Sequence, residues 1–569
     1  MPDGQQATAP IRVVLLLDSC TVPRWIAEQL AEIASSDFAD IVGVILNGEP
    51  GDGNVRPVRR PFLRRLANAW RLRNRLLLDR YIRFDAARYP AIGPDPFTPQ
   101  DVSLLFEATP RVNANPRRTT FSDYLDDETL CAMREMQPDV ALRFGFRILR
   151  GPVLNTPRYG VWSFHHGDNA VNRGSPPGLW EVFRDWPSTG AVLQKLSEDL
   201  DGGIALARTR IATNPISVHQ NRVTLYRAAA PLLLQKLRDL SRRGADAVVA
   251  MPNEPPYAPY SNRLFVAPTP LELISGVASL FARLVRRKFR AVRRTEQWQL
   301  AYRFDRRQSD TNSAPQAAMF RLKPLVPPPD RFWADPCAVR VDGRSLVFFE
   351  ELEFSENKGR ICLVEIAGDG QIGETRAVID RPYHLSYPFV FQHEEEWYMY
   401  VESSVRGLQE VYRAKSFPDD WVLDRELDLG QPVVDPTIAF HEGRWWLFAG
   451  TRATDECTYD DLSLFFGKSP LGPWTPHIAN PVLSDAGRAR PAGRIFEAAG
   501  SMIRPGQDGT PTYGSGIVFH RIVRLDTAAY IEEPISRIAP TWSPGMLGVH
   551  TVSAAGPLTV ADARVRLGR

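Results

Sequence analysis

The second half of the sequence repeats one pattern, and this repetition restricts the fold more than any other feature. Three units share a proline-marked turn, an apolar strand, a polar hairpin and an aromatic strand: FWADPCAVRVDGRSLVFFEE, LSYPFVFQHEEEWYMYVES and VVDPTIAFHEGRWWLFAG. Two weaker copies, FEAAGSMIRPGQDGTPTYGSGIVF and WSPGMLGVHTVSAAGPLTVAD, give five units at a spacing of roughly fifty residues. Such a unit buries its faces only against its neighbours, so radial stacking into a five-bladed β-propeller is predicted.

The first half alternates apolar strands with amphipathic segments. An apolar strand runs from Val13 to Leu17, an amphipathic segment contains Trp25 and Leu30, and a second apolar strand covers residues 41–46. This alternation predicts βαβ units and a parallel sheet. The first strand is followed by DSCTVPRW rather than by a GxGxxG turn, so a nicotinamide cofactor is not expected.

The chain has 569 residues, which exceeds the roughly 250–300 residues that one hydrophobic core serves. The proline-rich segment MPNEPPYAPYSN marks a boundary near residue 250. We predict a disordered tail over residues 1–10, an α/β domain over 11–250, a linker with a basic amphipathic helix over 251–319, and the propeller over 320–569. The predicted fold class is therefore a two-domain α/β plus all-β protein, in which a Rossmann-like parallel sheet precedes a five-bladed β-propeller.

Two segments combine apolar residues with many cations. The first is RRPFLRRLANAWRLRNRLLLDRYIR, over residues 59–83. The second begins at Thr269-Pro270-Leu271-Glu272, a capping box with proline at the first helical position, and ends in RRKFRAVRR. Each pattern is typical either of a helix packed on its own protein with a solvated basic face or of a helix that contacts an anionic membrane surface. Both interpretations stay open for the helix near 270–295.

The overall composition excludes several classes of protein. Lysine and arginine number 69 against 66 acidic residues, so net charge does not favour nucleic acid as a partner. Five scattered cysteines without CxxC spacing are typical of a reducing compartment. The apolar run near the start lacks a basic region before it, and no stretch reaches the ~20 apolar residues that span a bilayer. We therefore expect a cytoplasmic protein, membrane-associated if the basic helix binds lipid.

Three motifs follow one another in the first half: GFRILRGPVLNTPRYGVWSFHHG, NRGSPPGLWEV and TGAVLQKLSEDLDGGIAL. Their order resembles the formyltransferase family that uses N10-formyltetrahydrofolate, which includes methionyl-tRNA formyltransferase and the amino-sugar N-formyltransferases. In that family a strand-end Asn-x-His precedes a loop with Arg-Gly and Pro, and later a hairpin that ends in Leu-Asp-x-Gly. The resemblance covers residues 11–245 and implies a formyltransferase-type domain with N10-formyltetrahydrofolate as its cofactor.

The resemblance implies catalytic roles for His165 and Asp201, and cofactor-binding roles for Arg173, Gly174 and Gly202. An amine that attacks a formyl carbon must lose a proton, and the departing tetrahydrofolate nitrogen must gain one. Histidine is the side chain whose ordinary pKa allows both transfers near neutral pH. A nearby aspartate would orient the ring and stabilise its charged form.

The sequence departs from this family at Ser163, where the family has an asparagine whose amide stabilises the oxyanion. Loss of one such donor costs about two to three orders of magnitude in rate. The hydroxyl of Ser163 is one alternative donor, and His166 and Asn169 are two others. His166 and Asp168 are too closely spaced in sequence to be good ligands of one metal ion, so no metal site is predicted.

Acidic residues mark the points where the inner strands of the propeller are expected to begin or turn, and converging carboxylates are what glycoside chemistry requires. Cations beside them would suit a phosphate-bearing or acidic sugar. The alternative is that the Asp-Pro and Asp-Gly pairs are only blade turns, because aspartate caps its own backbone there. The predicted propeller site consists of Asp335, Glu351, His384, Glu402, Asp435, Arg490, Arg494 and Asp508.

Several motifs of this half resemble the amino-terminal domain of glucosamine inositolphosphorylceramide transferases. They are FWADP, HLSYPF, the Glu402-Ser403 pair, WWLF, ARPAGR, and RPGQD followed by TYG, within residues 320–569. In that family glycosyl transfer is assigned to a separate domain that follows, so the resemblance implies recognition of a saccharide or glycolipid. Four tryptophans could stack on sugar rings or form the core between blades: Trp333, Trp397, Trp445 and Trp446.

Three hypotheses about function follow from these observations. In the first, the protein is a transferase of glycan or glycoconjugate biosynthesis that N-formylates a nucleotide- or lipid-linked amino sugar, while the propeller binds or processes the saccharide. In the second, a glycosidase or glycosyltransferase acts through the propeller carboxylates and the first domain is a scaffold. In the third, the chain is a non-enzymatic module that binds glycans or lipids. Fold alone does not choose among them.

Overall fold

The chain separates into two units, residues 1–284 and residues 285–569. The computed structural model describes residues 9–48, 62–199, 202–249, 251, 264–293, 296–304, 319–403 and 406–566. Each unit has its own hydrophobic core. They are described separately below.

A seven-stranded sheet forms the centre of the first unit, in the order β7-β6-β5-β4-β1-β2-β3. Strands β1 to β5 are parallel to one another, whereas β6 pairs antiparallel with both β5 and β7 at one edge. The parallel sheet predicted from the apolar pattern is therefore present. The strands are β1 (Ile11–Leu17), β2 (Ala39–Asn47), β3 (Arg111–Ala114), β4 (Val140–Arg143), β5 (Val161–His165), β6 (Ser188–Lys195) and β7 (Ile204–Ala212).

Helices cover both faces of this sheet because successive residues of β1 are buried on alternate sides. Leu15 packs with apolar residues of the first and sixth helices, and Leu16 packs with those of the third. The helices are α1 (Arg24–Ser35), α2 (Phe62–Arg88), α3 (Asp127–Glu135), α4 (Leu179–Phe183), α5 (Val218–Ala229), α6 (Pro231–Arg243) and α7 (Pro270–Arg293). Three small ribbons pair Thr21–Pro23 with Pro99–Asp101, Arg173–Gly174 with Leu264–Phe265, and Ser122–Tyr124 with both Arg117–Arg118 and Ile148–Leu149.

Local capping signals begin several of these helices. Asp126 accepts a hydrogen bond from the amide of Thr129 at the start of α3, at 2.8 Å. At the start of α7 the amide of Thr269 donates to Glu272, and the amide of Glu272 donates back to the Thr269 hydroxyl. This reciprocal pair is the capping box read from the sequence. Pro231 begins α6 and separates it from α5.

The second unit consists of five antiparallel sheets, which are the five predicted blades. Their inner strands contact one another across the centre, as in a β-propeller. The strands of blade 1 are Arg331–Val341, Arg344–Glu353, Lys358–Glu365 and Arg376–Ile379, and those of blade 2 are Ser386–His393, Glu396–Glu402, Gln409–Ser416 and Asp420–Leu427. The strands of blade 3 are Val434–His441, Arg444–Thr451, Asp461–Gly467, Thr475–Pro476 and Leu483–Ser484. The strands of blade 4 are Phe496–Ala498, Ser501–Asp508, Gly516–Leu525 and Tyr530–Ile538.

Blade 5 joins the two ends of the second unit. Strand Leu558–Arg566 pairs on one side with Val552–Ala555 and Met546–Gly548, and on the other with Glu296–Phe304, which in turn pairs with Lys323–Leu325. The strand over residues 296–304 lies inside the stretch assigned above to a linker over 251–319. The propeller sheet therefore begins before residue 320, because a ring of blades closes only when a strand from its beginning completes the last sheet.

Helix α7 also lies in that stretch, and its first part packs on the first unit. Leu273 and Leu280 belong to an apolar cluster with Trp180 and Phe183. A Cβ on Gly276 would lie 2.3 Å from the ring of Phe183, so only glycine allows this close approach. The segment is thus partly a structural element of the first unit rather than a linker.

Replacing Leu300 by alanine should destabilise the propeller by about 2–5 kcal/mol, because this side chain is completely buried in the strand that closes blade 5. Urea unfolding followed by tryptophan fluorescence measures the effect. Val523→Ala is the matched control, since Val523 is 52% exposed on a strand of blade 4. Equal stabilities of the two variants would contradict the assignment of this strand to the propeller core.

Candidate functional site

His165 is the last residue of β5, at the carboxyl end of the parallel part of the sheet. Its ring is partly buried, and a Cβ on Gly167 would lie 2.9 Å from its Nε2. Ser163 lies on the same face of the strand, since side chains alternate along it. The carboxyl edge of such a sheet is where α/β proteins bind their ligands.

A partly buried arginine lies beside Ser163. Arg143 pairs with Ser163 from the neighbouring strand β4, and its Nη1 donates to Oγ of Ser163 at 3.0 Å. Its Nη2 donates to the carbonyl of Phe146 at 2.9 Å. Burial lowers the pKa of Arg143, but a guanidinium stays charged in proteins. The position that the family fills with asparagine is therefore occupied by a hydroxyl bonded to a cation, which is the charge that a developing oxyanion requires.

His166 and Asn169 have other contacts in the first unit. The ring of His166 stacks on Tyr226 with centroids 3.6 Å apart, and burial lowers its pKa to about 3, so it is neutral near pH 7. Asn169 donates to the side chain of Gln194 at 3.0 Å. Asp168 lies within 3.5 Å of Arg208 and 3.1 Å of Arg210. His166 thus belongs to the core, and Asp168 is neutralised by arginines.

The Arg173-Gly174 pair forms a short ribbon with Leu264–Phe265. Gly174 has a φ of 99°, and a Cβ there would lie 2.0 Å from the carbonyl oxygen of Phe265, so the ribbon requires glycine. Arg173 is buried. Gly202 donates its amide to the carbonyl of Asp199 at 3.2 Å, in the connection between β6 and β7. Asp201 lies outside the described residues, so its pairing with His165 stays a prediction.

In the propeller, the inner strands of blades 1, 2 and 3 share one irregularity. The pairing register shifts at Asp335-Pro336, Tyr387-Pro388 and Asp435-Pro436. The first residue of each pair has a left-handed backbone, with φ of 52°, 46° and 51°. Such a conformation costs a non-glycine residue about 1–3 kcal/mol and is common at functional sites. The bulges turn these side chains across the centre: the Tyr387 hydroxyl, for example, accepts from the amide of Gly493 in blade 4 at 2.8 Å.

Acidic side chains meet where these inner strands begin. The Asp335 amide donates to Asp562 at 3.2 Å, and the Asp435 amide donates to Glu402 at 3.0 Å. Glu350 is also buried there, and its pKa responds to both Asp335 and Glu402. We call this group the axial cluster; with its two cations it comprises Asp335, Glu350, Glu402, Asp435, Asp562, Arg490 and His550.

Several carboxyl groups of the axial cluster bind their protons unusually tightly. Burial, with the nearby Asp435, raises the pKa of Glu402 to about 8. Burial also raises the pKa of Asp335 to about 6, although His550 opposes the shift. The pKa of Glu350 is raised well above its ordinary value by burial and by Asp335 and Glu402. The cluster therefore has more negative groups than its two cations compensate.

The two cations pair with different acids of the cluster, and both lie near the ring of Tyr513. Arg490 donates through Nε and Nη2 to the two oxygens of Asp435, and its guanidinium lies 5.2 Å from the ring centroid of Tyr513. Tyr513 is 45% exposed, so the cluster reaches the surface at this ring. Gln507 also donates to Asp435, at 2.8 Å. Asp435 thus has three side-chain donor contacts.

His550 lies between two acids. Its Nδ1 is 2.6 Å from Asp562 and its Nε2 is 3.4 Å from Asp335. Burial would lower the pKa of His550, but Asp562 and Asp335 raise it, so a charged imidazolium is favoured. The ligand atoms of these three residues lie within 4.8 Å of one another, as a metal site would need. The short distance between His550 and Asp562 is that of a buried ion pair when the imidazole is protonated.

Four predicted residues have different surroundings. Glu351 accepts from Trp333 at 2.8 Å and pairs with Arg360, and these contacts outweigh burial to lower its pKa. Asp508 accepts from Arg537 at 2.9 Å and belongs to a hairpin. His384 lies at the edge of the cluster, 3.3 Å from Glu350, while its Nδ1 accepts from the backbone. Arg494, four residues after Arg490 in the chain, donates to the carbonyl of Val390 at 2.6 Å.

A second feature lies at the far ends of the inner strands. A cavity of about 460 Å³ is lined there by residues of all five blades, including Arg494, Trp397 and Trp445. Trp333 and Trp446 are buried within the sheets. Of the four tryptophans considered for sugar stacking, two therefore line a cavity and two belong to the core.

Sequence reasoning selected Glu351 rather than its neighbour Glu350, and it missed four residues that the fold brings to the centre: Asp562, His550, Tyr387 and Tyr513. One signal was available. Glu350 pairs with Ala334 and Glu402 pairs with Ser386, each partner being the residue before the bulge. Aligning the repeats on their proline pairs would thus have selected Glu350 instead of Glu351. His550 and Asp562 lie in the weakest repeat, where no such alignment exists.

Comparison with known proteins adds family relationships to this geometry. Residues 325–540 match the family model "Glucosamine inositolphosphorylceramide transferase 1, N-terminal". A 214-residue segment is 38% identical to glucosamine inositolphosphorylceramide transferase 1 of Oryza sativa subsp. japonica, and covers 37% of this chain and 28% of that protein. The Arabidopsis thaliana protein of the same name is 36% identical over 215 residues, again with 28% of its length covered.

The N-terminal part has weaker relatives. A 138-residue segment is 30% identical to the methionyl-tRNA formyltransferase of Synechocystis sp., and covers 23% of this chain and 41% of that protein. Both resemblances inferred from the sequence motifs are therefore confirmed as partial similarities. In each case the chain spans less than half the length of the relative.

Solved structures were also compared. A family 117 glycoside hydrolase from Zobellia galactanivorans aligns with a TM-score of 0.31 and 14% identity, over 47% of this chain and 90% of that one. A GH43_1 enzyme from Xanthomonas citri aligns with a TM-score of 0.31 and 13% identity, over 42% and 88%. Similarity at this level carries no functional conclusion.

Replacing Glu402 by glutamine should change how stability depends on pH. The folded protein binds this proton more tightly than the unfolded chain, so the wild type loses stability as pH rises from 4.5 to about 8. The variant lacks this loss, so at the upper end of this pH range its free energy of unfolding should exceed that of the wild type by on the order of 1–3 kcal/mol. Urea unfolding at several pH values measures it.

Glu394→Gln is the control for this experiment, because the Glu394 side chain is 86% exposed and should leave the pH profile unchanged. Parallel stability profiles for wild type and Glu402→Gln would contradict the proposed protonation of the axial cluster.

Proposed function

We propose that this chain is a transferase of glycoconjugate biosynthesis, in which the first unit N-formylates an amino sugar and the propeller binds the saccharide. The observation that carries the proposal is the union, in one chain, of a His165 site on a parallel sheet and an acid-rich axial cluster in a propeller. Its partial relatives bear the names of two transferases, one of which is named for glucosamine. The Rossmann-like formyltransferase fold of the first unit is part of the proposal.

His165 is the proton carrier in this proposal. Its imidazole takes the proton from the attacking amine as the new N–C bond forms, and returns it to the departing nitrogen as the old C–N bond breaks. N10-formyltetrahydrofolate supplies the formyl group. The Ser163 hydroxyl and the Arg143 guanidinium would stabilise the oxyanion, since the two are bonded at 3.0 Å beside the histidine.

The loop near Arg173 has unused acceptors that suit a polar cofactor. Asn172 and Glu181 bond to each other at 2.8 Å, but Oδ1 of Asn172 and Oε2 of Glu181 are buried without a hydrogen-bond partner among the described residues. Buried acceptors are costly unless a donor reaches them. We therefore propose that N–H groups of the folate are held here, with Arg173, Gly174 and Gly202 shaping the loop.

The axial cluster is proposed to hold the amino group of the sugar. Five carboxyl groups face Arg490 and His550. A protonated amine would supply the missing positive charge, whereas a neutral formamide would not. The propeller would thus prefer the free amine, whether the sugar is linked to a nucleotide or to a lipid. Peripheral contact with a membrane would fit the second case.

Incubation with N10-formyltetrahydrofolate and a panel of amino sugars tests the formyl transfer. His165→Ala should lower the rate by about 10²–10⁴-fold, because no other group then moves the proton. Asp335→Asn changes the proposed sugar site rather than the proton carrier, so it should raise KM for the amino sugar and leave kcat nearly unchanged. Absence of turnover by the wild type, together with absence of folate binding, would overturn the proposal.

A second candidate function rests on the different pKa values of two carboxyl groups in the propeller. Glu402, with a pKa of about 8, is poised as an acid, and Asp335, with a pKa of about 6, as a base. Glycoside chemistry uses such a pair. Under this alternative, Asp335→Asn should lower the rate of nitrophenol release from nitrophenyl glycosides by about 10²-fold or more. His165→Ala should leave this rate unchanged. Activity retained by Asp335→Asn would exclude it.

A further inference from the structure

Helix α7 has two apolar faces, only one of which is buried. Leu273, Gly276 and Leu280 are buried at intervals of three and four residues and pack toward the first unit. Arg283 continues this face, and its Nη1 lies 2.7 Å from Asp185. This spacing places the buried residues on one side of an α-helix. These residues attach the helix to the first unit, so the apolar residues of the other face are not needed for packing.

The adjacent face carries large apolar side chains in solvent. Leu271 is 80% exposed, Ile274 and Phe281 are each 66% exposed, and Val285 is 48% exposed. Their spacing of three, seven and four residues keeps them on one side of the helix. Single exposed apolar residues are ordinary, but a continuous stripe of this kind marks an interaction surface.

Cations follow this stripe directly. Arg286, Arg287 and Lys288 are all exposed in the next turn, and the one acid in the sequence of the helix, Glu272, is used in the capping box at its start. Exposed apolar residues beside a cluster of cations complement a surface that is apolar inside and negative outside.

The neighbouring helix α2 has the same combination. Its Leu78 is buried in the same apolar cluster as Leu273 and Leu280 of α7. Its Phe84 is 67% exposed and is preceded by the exposed cation Arg83. Two helices packed around one cluster thus each expose apolar and basic side chains.

We propose that α7 and α2 bind the surface of an anionic membrane, with the Leu271–Val285 stripe inserted among the lipids and the following cations at the headgroups. Among the described residues no helix is both long and apolar enough to cross a bilayer, so both helices lie on it. A second copy of this chain is a poorer occupant, since it would bring positive charge toward positive charge. This inference stands independently of the proposed function.

Sedimentation of the full chain with vesicles tests the proposal, with phosphatidylcholine alone compared with phosphatidylcholine plus phosphatidylserine. The wild type should bind only the anionic vesicles, and less at high salt. Ile274→Ser combined with Phe281→Ser should lower binding by about tenfold or more, because the inserted apolar surface is lost. Arg286→Glu combined with Arg287→Glu should remove the preference for anionic lipid.

Leu104→Ser is the matched control, since Leu104 is 82% exposed in the first unit but belongs to neither helix. All variants change exposed side chains, and their thermal unfolding should match that of the wild type. No binding of the wild type to anionic vesicles, or equal binding by the stripe variant, would overturn the proposal. A dimer in light scattering that is lost in the stripe variant would assign the surface to a second copy instead.

Discussion

The buried carboxylate of Asp562 connects the last blade to the first, and much of the propeller depends on it. It accepts from the amides of Asp335, His550 and Thr551 at 3.2, 2.9 and 3.0 Å, and it lies 2.6 Å from Nδ1 of His550. The strand that carries Asp562 pairs with the strand over residues 296–304. The Asp562 carboxylate therefore has two roles, because the same group joins the last blade to the first and holds residues of the axial cluster in position.

The axial cluster combines backbone strain with unfavourable electrostatics. Asp335 and Asp435 have left-handed backbones, and burial among other acids raises the pKa of Asp335, Glu350 and Glu402 above the ordinary range. A fold without a use for these groups would be more stable with apolar residues there. The strain and the uncompensated charge thus both favour a binding role, and a cationic ligand would relieve the second of them.

The two units carry their candidate residues in different ways. In the propeller, the three bulges and the acids Asp335, Glu350, Glu402 and Asp435 lie within the family match over residues 325–540, whereas His550 and Asp562 follow it. In the first unit His165 ends a strand of the parallel sheet. Arg143 donates to the hydroxyl of Ser163 on that strand at 3.0 Å, so a cation lies beside it.

The sequence by itself determined the two-part architecture, the parallel sheet, the five blades and the position of His165, because periodicity and turn residues report local structure. The sequence also selected Asp335 and Asp435, which lie at proline-marked bulges, and Glu402, which pairs with the residue before such a bulge. The tertiary structure showed that Glu350 rather than Glu351 faces the centre, because neighbouring residues on a strand point to opposite faces. It likewise decided that His550 and Asp562 join the cluster, since hydrogen bonds across the ring connect residues whose repeats share little sequence.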